Sequence, residues 1–180
     1  MDTETSPAAP PRQTPGGARV RPARTTDVRA VARLVAGYAQ ERILLGKETV
    51  TYYEDVQEFQ VAVVDDQLVG CGALHVLWED LAEVRTLAVD PAWRRRGVGH
   101  LLLEALLRQA DDVGVSRVFC LTFEVDFFRR HGFLLIEGTP VNQEVYAELL
   151  HSADEGVAEF LDLARVKPNT LGNARMLRQL

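Results

Sequence analysis

Apolar residues at Val28, Val31, Leu34, Val35 and Tyr38 recur at helical spacing and predict an amphipathic helix. Thr25 or Thr26 is its candidate N-cap, with Asp27 in the first turn, where a negative charge meets the positive end of the helix dipole. A less regular helical piece covers Glu41–Leu45 and Glu48–Asp55, broken near Gly46. Strand patterns follow. Gln60–Val64 is a strand, Asp65-Asp66-Gln67 a hairpin turn, and Leu68–Leu77 a return strand apolar enough to be buried on both faces. Trp78-Glu79-Asp80 turns the chain into the strand Leu81–Val89. Leu101, Leu102, Ala105, Leu106, Gln109 and Val113 mark the stripe of a long helix from about His100, with Gly114 as its C-cap. Arg117–Thr122 is a strand, Val125–His131 a short helix stopped at Gly132, and Phe133–Ile136 a short strand. Val145–Leu150 reads as helix, and Val157–Leu163 fits helix or strand. Val166-Lys167-Pro168 and Arg175–Leu177 read as edge strands.

A short strand at Val20–Ala23 opens this pattern. Residues 1–18 have no apolar period and are rich in proline and glycine, so they read as a disordered tail ahead of one domain over 19–180. Antiparallel hairpins first and a crossover helix later predict an α/β (α+β) fold with a central mixed sheet. The regular β-α alternation of a doubly wound fold is absent from the pattern.

Composition narrows the class. A 180-residue chain, 47% hydrophobic and 26% charged, can bury one core as an ordinary globular domain. Without a signal peptide or an apolar run approaching the ~20 residues of a membrane span, the expected location is cytoplasmic. Cys71 and Cys120 sit in apolar strands and read as buried reduced thiols. Metal-ligand spacing is absent, so no metal is expected. The net charge of −6 argues against nucleic acid, which makes Arg94-Arg95-Arg96 a local exception suited to a small polyanion.

That exception sits where the strand Leu87-Ala88-Val89 ends in Asp90-Pro91 and the chain runs through Arg94, Arg95, Arg96, Gly97, Val98 and Gly99 into the long helix. Glycines at Gly97 and Gly99 let backbone N–H groups approach a ligand, and the helix adds its dipole. Together they describe a pyrophosphate cradle, although glycines that only turn the chain would give the same spacing.

With Phe127-Phe128 and Gly132-Phe133 some thirty residues later, this constellation resembles the Gcn5-related N-acetyltransferase (GNAT) superfamily over roughly Val20 to Ile136. The resemblance implies that fold, with a central mixed, mostly antiparallel sheet flanked by helices and splayed between the strands at Leu87 and Leu121. It also implies acetyl-CoA as donor. Its pyrophosphate would lie on the N–H groups of Arg95 to Gly99 beside His100, and its pantetheine along Leu87, Ala88 and Val89. Leu87 N–H would be the oxyanion partner. Many members carry a tyrosine at the Phe128 position to protonate the leaving thiolate; here Phe128 can only line the cofactor.

Gly72-Ala73-Leu74-His75, Glu83 to Val89, Val118 to Thr122 and Val166-Lys167-Pro168-Asn169 through Gly172-Asn173-Ala174-Arg175-Met176-Leu177 look like the amino-acid N-acetyltransferases that make N-acetylglutamate, in their short actinobacterial form. The long form carries an amino-acid-kinase domain with an arginine site, so arginine control here is expected to work otherwise. The resemblance implies L-glutamate as acceptor. An arginine of the long enzymes is replaced by Gly46, which extends the candidates to L-glutamine. Another small amine, a protein N-terminus and a non-catalytic acetyl-CoA sensor are the alternatives, and a homodimer is the expected assembly.

Aminolysis of a thioester needs a base for the amine and a partner for the developing oxyanion. Glu83 is the candidate base, with a surface carboxylate or a water relay as alternatives. In a regular strand Glu83 and Arg85 share one face about 7 Å apart, so Arg85 is either a ligand for a substrate carboxylate or the ion partner of Glu83. Lys47, Lys167, Asn173 and Arg175 are the further candidates for holding the acceptor. His75 lines that site or packs in the core, His131 reads as a helix-end cap, and Tyr38 has no assignable place.

Overall fold

The computed structural model describes residues 17–166 and 172–180; residues 1–16 of the tail expected over 1–18 and the candidate Lys167 lie outside them, while Ala18, expected in that tail, is buried. The strands are β1 (Arg19–Pro22), β2 (Phe59–Val64), β3 (Gln67–Trp78), β4 (Leu81–Val89), β5 (Arg117–Thr122), β6 (Leu134–Leu135) and β7 (Ala174–Gln179). The helices are α1 (Val28–Gln40), α2 (Thr49–Glu54), α3 (Val98–Val113), α4 (Val125–Arg129), α5 (Gln143–Leu149) and α6 (Glu155–Phe160). They form the expected α/β arrangement, a seven-stranded mixed sheet ordered β1-β2-β3-β4-β5-β7-β6 with helices on its faces.

Every neighbouring pair is antiparallel except β4 and β5, which α3 joins as a crossover. That parallel pair is short. Leu81, Ala82 and Glu83 register with Arg117, Val118 and Phe119, and the ladder then ends while both strands continue. The sheet therefore opens just beyond Glu83. Three apolar clusters hold the opening in place. Val28, Val31 and Val35 of α1 pack on Val61, Val63, Cys71 and Ala73. Leu103, Leu106 and Ala110 of α3 pack on Leu74, Ala82, Val84 and Val118. Under α5 and α6, Val145, Leu149, Val157 and Phe160 cover Leu81 and Phe119. Each such large side chain contributes roughly 1.5–3 kcal/mol by leaving water.

Several expectations change in detail. Thr25–Asp27 form a 3-10 turn, and the Asp27 carboxylate, not a threonine, accepts the Arg24 backbone N–H at 2.7 Å and the Arg21 guanidinium. The helix expected over Glu41–Leu45 does not form, because Arg42 adopts a left-handed φ of +57° that ends α1. The buried face of α3 is Val98, Leu102, Leu103, Ala105, Leu106 and Ala110, with Val113 exposed. A leucine-rich run from Leu101 to Leu107 left that phase ambiguous, and the helix starts at Val98, two residues earlier than expected. Val157–Leu163 resolves as the helix α6 followed by a turn. The strand at Arg175–Leu177 lies inside the sheet, because β6 pairs on its outer side. The strand expected over Val166–Pro168 has only Val166 among the described residues, in a turn.

Candidate active site

The cradle forms where β4 delivers the chain to α3. Asp90 caps a 3-10 turn over Pro91–Trp93 by accepting the Ala92 N–H at 2.9 Å. Arg95 then takes a φ of +61° and Gly97 a φ of +79°. Gly97 is the N-cap of α3 in the left-handed region that glycine enters without strain, and it offers the helix no side-chain cap. The N–H groups of Val98, Gly99 and His100 fall in the first turn, which has no intrahelical acceptors, and the dipole adds positive potential there. An uncapped helix end behind left-handed turns fits a pyrophosphate. The three arginines are exposed, and two of them are turned to aromatic rings. Arg94 donates to the Tyr38 hydroxyl from Nη2 at 2.9 Å and lies over that ring, while Arg96 lies over Trp93. Backbone therefore supplies the cradle.

Two aromatic assignments move. Phe128, expected along the cofactor, is buried in the core, edge-on to Phe133 at 5.2 Å. Its neighbour Phe127 sits half-buried beside the start of α3: a side chain at Gly99 would meet the Phe127 ring at 3.5 Å, and the His100 ring lies 5.0 Å from it. The short helix α4 turns position 127 outward and position 128 inward. His131 is not only a helix-end residue, since its Nε2 lies 2.6 Å from His100 Nδ1.

The edge of β4 beyond Glu83 is open. A bulge shifts its register with β3 between Ala88↔Cys71 and Arg85↔Ala73, and Thr86 takes a φ of +59°. Asp90 N–H donates to Val69 O of β3 at 2.8 Å. Leu87 and Val89 alternate with Ala88 and Asp90, so their backbone groups face the side that β5 has left. On that side Val89 C=O accepts the Tyr38 hydroxyl at 2.5 Å, which gives Tyr38 its place. By the same alternation the Leu87 N–H is turned toward that gap.

Glu83 and Arg85 precede the bulge and keep a common face. Glu83 is only 2% exposed, and its Oε2 is buried with no hydrogen-bond partner. Burial raises its carboxyl to about 8; Glu159 and Asp154 push the same way, against Arg85 and Lys47. Of the two alternatives for Arg85, the ion pair with Glu83 is not the one the side chain makes. Arg85 instead reaches helix α6 and the turn before β2. Its Nη1 lies 2.6 Å from Asp154 Oδ1, and Nη2 lies 3.4 Å from Glu58 Oε2. Gly156 makes this possible, because a side chain there would occupy the space of the Arg85 Nη1. Burial raises the Asp154 carboxyl, but the Arg85 bond and charge outweigh it and hold it at about 2. Glu58 also lies 2.7 Å from His75 Nδ1, which puts His75 on the wall of this pocket.

Lys47 Nζ lies 3.0 Å from Asp55 and 3.8 Å from Asp154, so it joins the same group. On the far wall, Asn173 Nδ2 donates to Glu159 Oε1 at 3.1 Å. Arg175 lies over the Phe119 ring and donates to the carbonyls of Gly138 and Phe160. The fold thus brings Lys47, Glu83, Arg85, Asn173 and Arg175 into one cluster of charged and polar side chains. The carboxylates Glu58, Asp154 and Glu159 were not foreseen, because no local pattern marks them. Cys71 and Cys120 are free and buried, and burial raises the Cys71 thiol to about 12. Among the described residues no group of three or more His, Cys, Asp or Glu could hold a metal, and no helix is long and apolar enough to cross a membrane.

This arrangement is that of known acetyltransferases. Residues 31–133 match the acetyltransferase (GNAT) family. The amino-acid acetyltransferase of Mycobacterium tuberculosis is 60% identical over 88% of this chain and 92% of its own length. An uncharacterised N-acetyltransferase of Chlorobaculum tepidum is 36% identical over 72% of this chain and 83% of its own. The crystal structure of Rv2747 from Mycobacterium tuberculosis, in complex with CoA and NLQ, superposes with a TM-score of 0.86 at 59% identity, covering 89% of this chain and 98% of that one. N-acetylglutamate synthase from Neisseria gonorrhoeae, complexed with coenzyme A and N-acetyl-glutamate, shares the fold with a TM-score of 0.72 at 23% identity; the match covers 91% of this chain and 35% of that protein. With its backbone cradle, open β4 edge and splayed sheet, this chain belongs to the GNAT family of acetyltransferases, whose acyl donor is acetyl-CoA.

Proposed function

We propose that the chain transfers the acetyl group of acetyl-CoA to the α-amine of L-glutamate or L-glutamine, as the first step toward arginine, in the cytoplasm. The observation that carries this reading is the pairing of Glu83 and Arg85 on one wall, where β4 and β5 part beside the open N–H of Leu87. A base, a cation and an oxyanion partner then surround one point. The amino-acid acetyltransferase name of the Mycobacterium tuberculosis relative and the N-acetyl-glutamate held by the Neisseria gonorrhoeae structure support an amino acid as acceptor.

Acetyl-CoA supplies an activated acyl thioester; this chain's residues hold it and manage protons and charge. The N–H groups of Arg95 to His100 hold the pyrophosphate. The Leu87 N–H receives the charge that grows on the carbonyl oxygen. Glu83, whose buried carboxyl titrates at about 8, takes a proton from the incoming ammonium in its ionised form, so this step gains as pH rises toward 8. Phenylalanine at position 128 supplies no hydroxyl to protonate the departing thiolate, which leaves into water.

One observation favours glutamine beside glutamate. Lys47 and Arg85 already pair with Asp55, Asp154 and Glu58. A lining so rich in carboxylates accepts the neutral amide of glutamine with less repulsion than a second carboxylate. A panel of amines with thiol release as readout tests the proposal. Saturable turnover of glutamate or glutamine is expected. Turnover of a polyamine or peptide alone, or tight acetyl-CoA binding with no turnover, overturns it.

A further inference from the structure

Glu159 lies outside every motif read from the sequence, yet it stands on the wall facing Glu83. Phe119 anchors this corner. Glu83 is its cross-strand partner at the last rung of the β4–β5 ladder. Phe160, next to Glu159 on α6, packs edge-on to it at 4.9 Å. Arg175 lies over its ring, and Asn173 precedes β7, two residues before Arg175. Glu159 and Glu83 thus approach the mouth of the splay from α6 and β4.

The buried polar atoms without partners in this corner are one donor, Arg85 Nε, and two acceptors. Asn173 Nδ2 donates to Glu159 Oε1 at 3.1 Å, which leaves Asn173 Oδ1 as an acceptor. That Oδ1 and Glu83 Oε2 are both buried with no partner. Buried acceptors without donors are costly, about 1–3 kcal/mol each. What the corner lacks is a compact group with several N–H donors and a positive charge. A primary ammonium has three.

We propose that Glu159, oriented by Asn173, completes with Glu83 and Asn173 Oδ1 a seat for the protonated amine of the acceptor. The assignment rests on the acetyltransferase reading above and adds a residue to it. Glu159 binds the ammonium and Glu83 takes its proton, so the two carboxylates have different tasks. Their surroundings fit. Burial raises the Glu159 carboxyl to about 7, against the pull of Arg175 and Arg85 and of the Asn173 bond. The groups facing it are Glu83 and Arg85 from β4, Arg175 from β7, and Asn173. A site of this kind selects primary amines and leaves the side chain of the acceptor to other residues.

The test compares the wild type with Glu159→Gln and Glu159→Asp from pH 6 to 9.5. It reads kcat and KM for the acceptor and for acetyl-CoA, with acetyl-CoA affinity by calorimetry. The glutamine variant keeps the Asn173 bond and loses the charge. It is expected to raise the acceptor KM about tenfold, with acetyl-CoA affinity unchanged. It should also remove the lower of two ionisations on the acidic limb of kcat/KM for the acceptor, and the aspartate variant should restore part of the loss. An unchanged acceptor KM and pH profile would overturn the proposal, as would equal losses for both substrates. If the wild type acetylates a different primary amine, the amino-acid reading fails and the same comparison is made with that amine. Absence of turnover on any primary amine overturns both.

Discussion

Asp154 Oδ1 lies 2.6 Å from Arg85 Nη1 and accepts the Val157 N–H at 2.9 Å, so one oxygen ties the buried arginine to the first turn of α6. Asp154→Ala removes the ion pair and the N-cap together, and the unfolding free energy is expected to fall by about 3 kcal/mol, read by urea titration. Arg85→Ala should cost a similar amount. The double variant should lose clearly less than the sum, because the two residues act as one unit.

Gly97→Asp should raise the KM for acetyl-CoA more than tenfold, by setting a negative charge into a cradle whose field is positive. Gly97→Asn is the control. Asparagine tolerates the left-handed φ of +79° nearly as well and carries no charge, so its effect should be several-fold smaller. Equal effects would mean that backbone conformation, not charge, governs the site.

Glu83 gives a signed prediction for pH. Its folded carboxyl titrates at about 8, above the ordinary 4.5, so the native state binds the proton more tightly than the unfolded state does. The stability it contributes is full below about 4.5 and is lost as pH rises to about 8. Glu83→Gln should therefore raise Tm by several degrees at pH 9 and change it little at pH 4.5, while kcat falls at least a hundredfold. A Tm difference independent of pH would place the ionised carboxylate in water.

Tyr38→Phe removes the hydroxyl that bridges Val89 C=O and Arg94. The expected result is a loss of about 1 kcal/mol in stability and a changed acetyl-CoA KM at an unchanged acceptor KM. A change in the acceptor KM instead would place Tyr38 on the other side of the thioester.

What could be read from the chain was what its neighbours in sequence decide. The Arg94–Gly99 turn, the strand leading into it and the helix leaving it form one continuous local unit. The parity of Glu83 and Arg85 survived because the bulge falls at Thr86, after them. The helix phases were less legible. A run of leucines in α3 fits the period in more than one register, so the pattern puts Leu102, Ala105 and Leu106 on the buried face and misses Val98, Leu103 and Ala110. The partners of Arg85 were not legible at all. Glu58 lies 27 residues before it and Asp154 lies 69 after it, and only the packing of α6 over the opened sheet brings them together. The insertion of β7 between β5 and β6 likewise depends on the whole sheet.

The most direct test of the account is to identify the product. Purified protein with acetyl-CoA and either L-glutamate or L-glutamine should release coenzyme A and yield, by mass spectrometry and NMR, the amino acid acetylated at its α-nitrogen, at a rate that saturates in both substrates. Coenzyme A release without an acetylated amino acid, or acetylation confined to amines of another class, would contradict it.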